Sequence, residues 1–291
     1  MMFDSIRKMF SNGILSAYER TGKPRRFSLY GISPGRSRKT LRPVLIKEYS
    51  EEGMEVEKKL DSLYRARPLA EILPELRNPH IASTLEAETT DTRRVEIIDP
   101  VPGPTLREIM GRGEMTPRDF IDCILQAARG LSHLHSLDLV HRGLTPDVIT
   151  VGEAGAKITD LSFLMDAGKA HHGSTMTGAS RYSAPEILKR APIDARSDIF
   201  SLGAILYEGV CGAPIFPHAS GFERLLRVMN SKPDEPSEKN CFVNDQLNAV
   251  IMKAVAKNPA ERYAAVDEFI SALEAAPLPE KLGHHAPAYA A

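Results

Sequence analysis

The spacing of apolar residues changes character near position 100, and the change predicts a chain in two parts. Phe3, Ile6, Phe10, Ile14 and Tyr18 stand at near-helical intervals among Lys, Arg and Glu, so a short amphipathic helix is expected in an N-terminal extension, residues 1–25. Packing on the domain or on a partner is its expected use, ahead of peripheral membrane contact, since its polar face is not strongly basic. Lys23-Pro24-Arg25-Arg26 interrupts the helix with a proline and positive charge. From 26 to 98 the apolar runs are short: Phe27-Ser28-Leu29-Tyr30-Gly31-Ile32, Pro43-Val44-Leu45-Ile46-Lys47-Glu48-Tyr49 and Val95-Glu96-Ile97-Ile98 read as strands. A charged helical region, 51–76, lies among them and breaks near Pro68 and Pro74.

Asp99-Pro100-Val101-Pro102-Gly103-Pro104 is a hinge by composition, and residues 105–276 read as helices. Thr105 to Met110 opens a short one, and Phe120, Ile124, Leu125, Ala128, Leu131 and Leu134 stripe a long one. Residues 198–210 are almost wholly apolar, which predicts a central buried helix. Leu247, Val250, Ile251, Ala254 and Val255 form a further apolar face, repeated by Val266, Phe269, Ile270 and Leu273 after Asn258-Pro259. Residues 277–291, rich in Ala, Pro and His, are expected to be a flexible tail. The pattern implies an α+β fold of two lobes, a small sheet with one main helix and a larger helical part.

With 291 residues, 42% of them hydrophobic, the chain can bury a core in each part. Its 37 Lys and Arg nearly balance 38 Asp and Glu, so no global field favours nucleic acid or an acidic membrane, and partners must be sought through local patches. Cys123, Cys211 and Cys241 are odd in number and without metal-ligand spacing, which fits a reducing compartment. No run approaches the ~18 apolar residues of a membrane helix and the start lacks a signal-peptide core, so a cytoplasmic protein without a membrane span is expected. His171-His172 and His284-His285 stand in polar segments without further ligands and read as solvated pairs.

The stretch His141-Arg142-Gly143-Leu144-Thr145-Pro146-Asp147-Val148-Ile149 resembles HRDLKPENI, the catalytic loop of eukaryotic-type, bacterial-like serine/threonine protein kinases. Asp160-Leu161-Ser162 stands where that family has DFG, and the segment from Gly178 to Glu186 resembles GTPxYMAPE. Asp198-Ile199-Phe200-Ser201-Leu202-Gly203 resembles DxWSxG, and Asn258-Pro259-Ala260-Glu261-Arg262 resembles NPxxR. The resemblance spans about 26–275 and implies the bilobal kinase fold. It also implies structural roles: Glu186 pairs with Arg262, Asp198 caps the catalytic-loop backbone, and His141 lies in the core beneath it.

Against this frame, the chemical positions are replaced. Gly143 stands for the Asp that orients the substrate hydroxyl, Thr145 for the Lys beside the transferred phosphoryl group, and Val148 for the Asn that holds magnesium. Ala179 stands for the Thr that bonds the first two. Asp147 is the nearest carboxylate and lies further along the loop. Arg142 is retained, either as a structural arginine or as a sensor of phosphate on Ser174, Thr175, Thr177 or Ser180.

For ATP and magnesium the expected contacts are Lys47 on the α and β phosphates, Asp160 on a metal ion, and the backbone of Asp99 and Val101 at the adenine. Leu45 obstructs the adenine position, and Gly31-Ile32-Ser33-Pro34-Gly35-Arg36-Ser37 stands for the glycine-rich loop with two glycines and a proline. Counting back from Asn78-Pro79-His80-Ile81, the helix glutamate partner of Lys47 falls on Leu69, or on Glu71 in a shifted register. A catalytically deficient, regulatory or scaffolding module, a pseudokinase, is therefore expected, with no intact catalytic residue. Its partner would be another protein, such as an active kinase or signalling component, and not nucleic acid. The candidate surfaces are the N-terminal helix, the groove between lobes and the activation segment. Two other readings retain Lys47 and Asp160: an atypical serine/threonine kinase or related transferase, and an ATP-binding sensor without turnover.

Overall fold

In the computed structural model of the protein, residues 13–169, 180–216 and 221–283 are described. The chain divides into two compact units, 1–101 and 102–291, and the division falls inside the proline-rich hinge.

The first unit is an antiparallel sheet with helices. Its strands are β1 (Tyr18–Arg20), β2 (Arg25–Arg26), β3 (Tyr30–Ser37), β4 (Pro43–Tyr49), β5 (Thr84–Thr89) and β6 (Arg94–Ile98). The order is β1-β3-β4-β6-β5, with β2 also paired to β3. Alternation puts Val44, Ile46, Val95 and Ile97 on one face, where they form a core with Tyr18, and Leu45, Lys47, Arg94 and Glu96 on the other. Helix α1 (Glu51–Tyr64) starts at Ser50, whose hydroxyl accepts the Gly53 N–H at 3.1 Å. It ends before Pro68, and a short α2 (Leu69–Ile72) follows.

Several sequence expectations change here. Residues 13–26 form a 3-10 turn (Gly13–Ala17) and two strands in place of an amphipathic helix, because Tyr18 pairs with Ser37 and buries its ring in the sheet core. Phe3, Ile6 and Phe10 lie outside the described residues. The strand expected at 27–32 is shifted to Tyr30–Ser37, and β5, with Glu at alternate positions, was not foreseen.

The second unit is mainly helical. It contains α3 (Leu106–Arg112), α4 (Pro117–His135), α5 (Pro185–Leu188), α6 (Ala195–Cys211), α7 (Gly221–Asn230), α8 (Pro236–Lys239), α9 (Asp245–Ala254) and α10 (Val266–Ala275). Short strands β7 (Leu139–Val140), β8 (Ile149–Gly152), β9 (Gly155–Ile158) and β10 (Met165–Asp166) carry the connections. Thr105 and Glu108 close a capping box on α3, and Thr116 with Pro117 starts α4. The apolar α6 is buried along Ser197–Val210, as its composition predicts, and packs against α4, α9 and α10. Residues 277–283, expected to belong to a flexible tail, are instead tied to the helical part. Asn244 donates to the Pro277 carbonyl at 3.0 Å, Asn240 to that of Lys281 at 3.0 Å, and the Gly283 N–H to that of Val210 at 2.9 Å. His284 and His285 lie outside the described residues.

Candidate functional site

The loop at 141–149 is held from below by α6. Asp198, fully buried, accepts the N–H groups of His141 at 2.8 Å and Arg142 at 2.9 Å, and meets His135 Nε2 at 2.9 Å. Burial acts to raise the Asp198 pKa, but His135, His141 and the amide hold it below the usual carboxylate range. His141 is buried, as expected, and burial lowers its imidazole pKa against the pull of Asp198 and Asp160. Arg142 takes φ +65°, and the Gly143 N–H turns back to the His141 carbonyl at 2.8 Å. Such a tight turn is costly for a residue with a side chain, and the two amides pinned by Asp198 keep it in place. Arg142 is only 3% exposed.

Above this framework the replaced positions differ in surroundings. Gly143 is covered by Phe163, the residue after Asp160-Leu161-Ser162: a Cβ at 143 would lie 2.7 Å from Phe163 Cδ2. The aromatic ring therefore takes the space next to the backbone where a side chain would leave the loop. Thr145 precedes the short 3-10 turn Pro146–Val148, and the Val148 carbonyl accepts from Thr159. Asp147 points to Arg107, 3.5 Å away. Asp160 Oδ1 accepts the Ser162 hydroxyl at 2.6 Å and its N–H at 3.1 Å, so part of the carboxylate caps its own turn. Ala179, Ser174, Thr175, Thr177, His171 and His172 lie outside the described residues; Ser180 donates its N–H to Ser183 Oγ at 2.7 Å.

The expected Glu186–Arg262 pair is present and bidentate, at 2.7 and 2.8 Å, with Arg262 also donating to three backbone carbonyls. Ser197 adds a hydroxyl to Glu186 at 2.6 Å. A second buried cluster was not anticipated: Glu208 on α6 binds Arg107 at 2.7 Å and accepts the Tyr182 hydroxyl. Its signal in the sequence is an acid within an apolar helix, and in the structure Glu208 is 1% exposed.

In the first unit Lys47 is 2% exposed. Its ammonium lies 3.5 Å from Glu96, the residue directly opposite on β6, and 4.2 and 5.1 Å from the ring centroids of Tyr30 and Tyr49. Tyr49 donates its hydroxyl to Glu96 at 2.8 Å, and burial next to this carboxylate pushes its pKa far up. Arg94 continues the cluster, reaching Glu96 at 3.1 Å and the helix residue Glu57 at 3.0 Å, which Arg65 joins at 2.8 Å. Burial raises the Glu57 pKa, opposed by Arg65 and Arg94. Neither residue reached by sequence counting serves as the helix partner: Leu69 is a core residue and Glu71 is an exposed partner of Arg67. The buried α1 acid is Glu57, and strand arginine Arg94 binds it.

The glycines assigned to a phosphate-approaching loop are also elsewhere. Gly31 and Gly35 lie inside β3, paired to Glu48 and Val44 of β4. The hairpin turn near Lys47 is residues 27–29, where the Leu29 carbonyl accepts the Ser50 N–H at 2.9 Å. The turn sits so close to α1 that a Cβ at Gly53 would be 2.0 Å from the Leu29 carbonyl. Leu45 shares the Lys47 face, half-buried. Asp99 donates its N–H to Ser83 and its carboxylate meets Arg42 at 2.8 Å; Val101 is half-buried. Among the described residues no cluster of three or more metal-ligating side chains occurs. No helix among them is long and apolar enough to cross a membrane.

Comparison with known proteins bears on this arrangement. The profile of the protein kinase domain matches residues 32–272. A probable serine/threonine-protein kinase of Clostridium perfringens (strain 13 / Type A) is 31% identical over 72% of this chain and 31% of its own length. The serine/threonine-protein kinase PknB of Mycolicibacterium smegmatis is 33% identical over 70% of this chain and 34% of its own length, and PknB of Mycobacterium tuberculosis (strain ATCC 25618 / H37Rv) 33% over 59% and 28%. The chain thus spans about a third of the length of these relatives.

Proposed function

Because the chain belongs to the protein kinase domain family, we propose that it keeps the fold for binding and has given up phosphoryl transfer, acting as a regulatory or scaffolding module for another protein. The observation that carries this reading is Phe163 against Gly143. A kinase accelerates transfer almost entirely by positioning and charge, and here an aromatic ring covers the point from which the orienting side chain would leave the loop. Thr145 offers no ammonium and Val148 no oxygen ligand for magnesium, which takes octahedral oxygen coordination.

The residues also fit a magnesium nucleotide poorly. Lys47 is enclosed by Tyr30, Tyr49 and Glu96, Leu45 stands on the same face, and Asp160 spends one oxygen on Ser162. In this reading Lys47 is a structural cation. Glu186, Arg262, Asp198 and His141 are buried and tie distant segments together, which suits a module that keeps the fold.

The test has two arms. Labelled ATP with magnesium is expected to transfer no phosphate to the protein or to a generic protein substrate, and transfer lost in Asp160→Asn would instead establish an atypical kinase. A thermal titration with ATP and magnesium is expected to leave the melting temperature unchanged, whereas a rise abolished by Lys47→Ala would support the nucleotide sensor.

A further inference from the structure

Between Arg20 and Arg42 the chain carries eight basic residues and no acidic one, although its total charge is nearly balanced. The kinase-like reading makes no use of this patch. Three of its cations are paired, Arg20 with Glu48, Arg36 with Glu19 and Arg42 with Asp99. Arg38 and Lys39 are exposed and have no acidic partner among the described residues. They stand in the turn between β3 and β4, closed by the Leu41 N–H on the Ser37 carbonyl and the Ser37 N–H on that of Arg42, each at 2.9 Å.

At the tip of this turn Leu41 is 64% exposed and has φ +58°. A leucine in the left-handed region costs about 1–2 kcal/mol, and at this exposure it regains little of that by packing. An outward apolar side chain flanked by Arg38, Lys39 and Arg42 has the chemistry of an interfacial anchor: cations reach anionic headgroups while the apolar tip enters the acyl boundary. Next to it lies a cavity of about 270 Å³ lined by Leu15, Tyr18, Arg20, Arg38 and Ile46, arginines over an apolar floor. Arg38 belongs to both features, and its N–H binds the Ala17 carbonyl at 2.9 Å.

We infer that the turn 38–42 docks the domain on an anionic phospholipid surface. Nucleic acid fits less well, because a bare leucine offers neither a stacking face nor a hydrogen bond to a base. An acidic peptide would satisfy the cations and leave Leu41 in water.

The full chain is to be sedimented with vesicles of phosphatidylcholine alone and of phosphatidylcholine mixed with phosphatidylserine. Binding is expected only to the anionic vesicles and to fall with salt. Removing the two free cations in Arg38→Glu/Lys39→Glu should weaken it at least about 25-fold, at about fivefold per charge. Leu41→Asn should weaken it about tenfold without lowering the melting temperature, since Asn tolerates the left-handed region. Equal binding to both vesicles, no binding to the anionic ones, or binding unchanged by both variants overturns the inference. So does capture of a single-stranded RNA or a polyglutamate peptide through these residues when vesicles are not bound.

Discussion

Replacing Gly143 with aspartate restores the missing carboxylate and tests what Phe163 does. The new Cβ would lie 2.7 Å from Phe163 Cδ2, where ordinary contact begins at 3.4 Å. The half-buried ring must therefore rotate or shift, which costs about 1–3 kcal/mol as overpacking. Loss of a glycine's freedom in the unfolded chain offsets about 0.4–1 kcal/mol of this. A net cost of about 1 kcal/mol lowers the melting temperature by about 2–4 °C for a unit of this size. Phe163→Ala alone is expected to cost about 1–2 kcal/mol, less than a core phenylalanine because the ring is only half-buried. The double variant should then cost less than the two single costs together by about 1–2 kcal/mol, because the clash exists only when both side chains are present. Urea unfolding of the four proteins measures this coupling. Costs that add to within about 0.5 kcal/mol would refute the claim that Phe163 fills the place of a side chain at 143.

Three further outcomes follow from the geometry. Arg262→Met leaves Glu186 buried with only Ser197 and should cost about 3–5 kcal/mol in urea unfolding, whereas Glu186→Gln with Arg262→Met should cost less. Lys47→Met should cost about 1–3 kcal/mol, less than Glu96→Ala, because Glu96 keeps Tyr49 and Arg94 while its own removal strips all three groups. Burial, with Arg262 and Lys189 nearby, pushes Lys257 down to about 8. An unfolded lysine titrates near about 10.4, so the unfolded chain holds the extra proton in between and stability should rise with pH from about 8 to about 10.4. Lys257→Met should abolish that rise in the urea midpoint, and a rise of equal size in the variant would assign it elsewhere.

The sequence carried the second unit well, because its signals are local or fixed by motif spacing. An apolar run from 198 to 210 must be buried whatever surrounds it, and it forms α6. Asp198 under the 141–142 backbone and Glu186 with Arg262 follow from motifs in register, although their partners lie far apart in the chain. The first unit was less legible. Short strands have weak signals, and whether Tyr18 belongs to a helix or a strand depends on Ser37 being available to pair with it.

What the chain determined by itself is which groups are present: no carboxylate at 143, no ammonium at 145, no metal-binding oxygen at 148, and cations without acids from 20 to 42. What only the tertiary structure decided is which groups meet. Lys47 faces Glu96 because antiparallel pairing sets the two opposite each other, and Glu57 faces Arg94 because α1 lays its buried side on that sheet face. Phe163 covers Gly143 because the turn capped by Asp160 brings the segment after it back over the loop. Composition is written along the chain, whereas contact depends on register and on the path of the backbone.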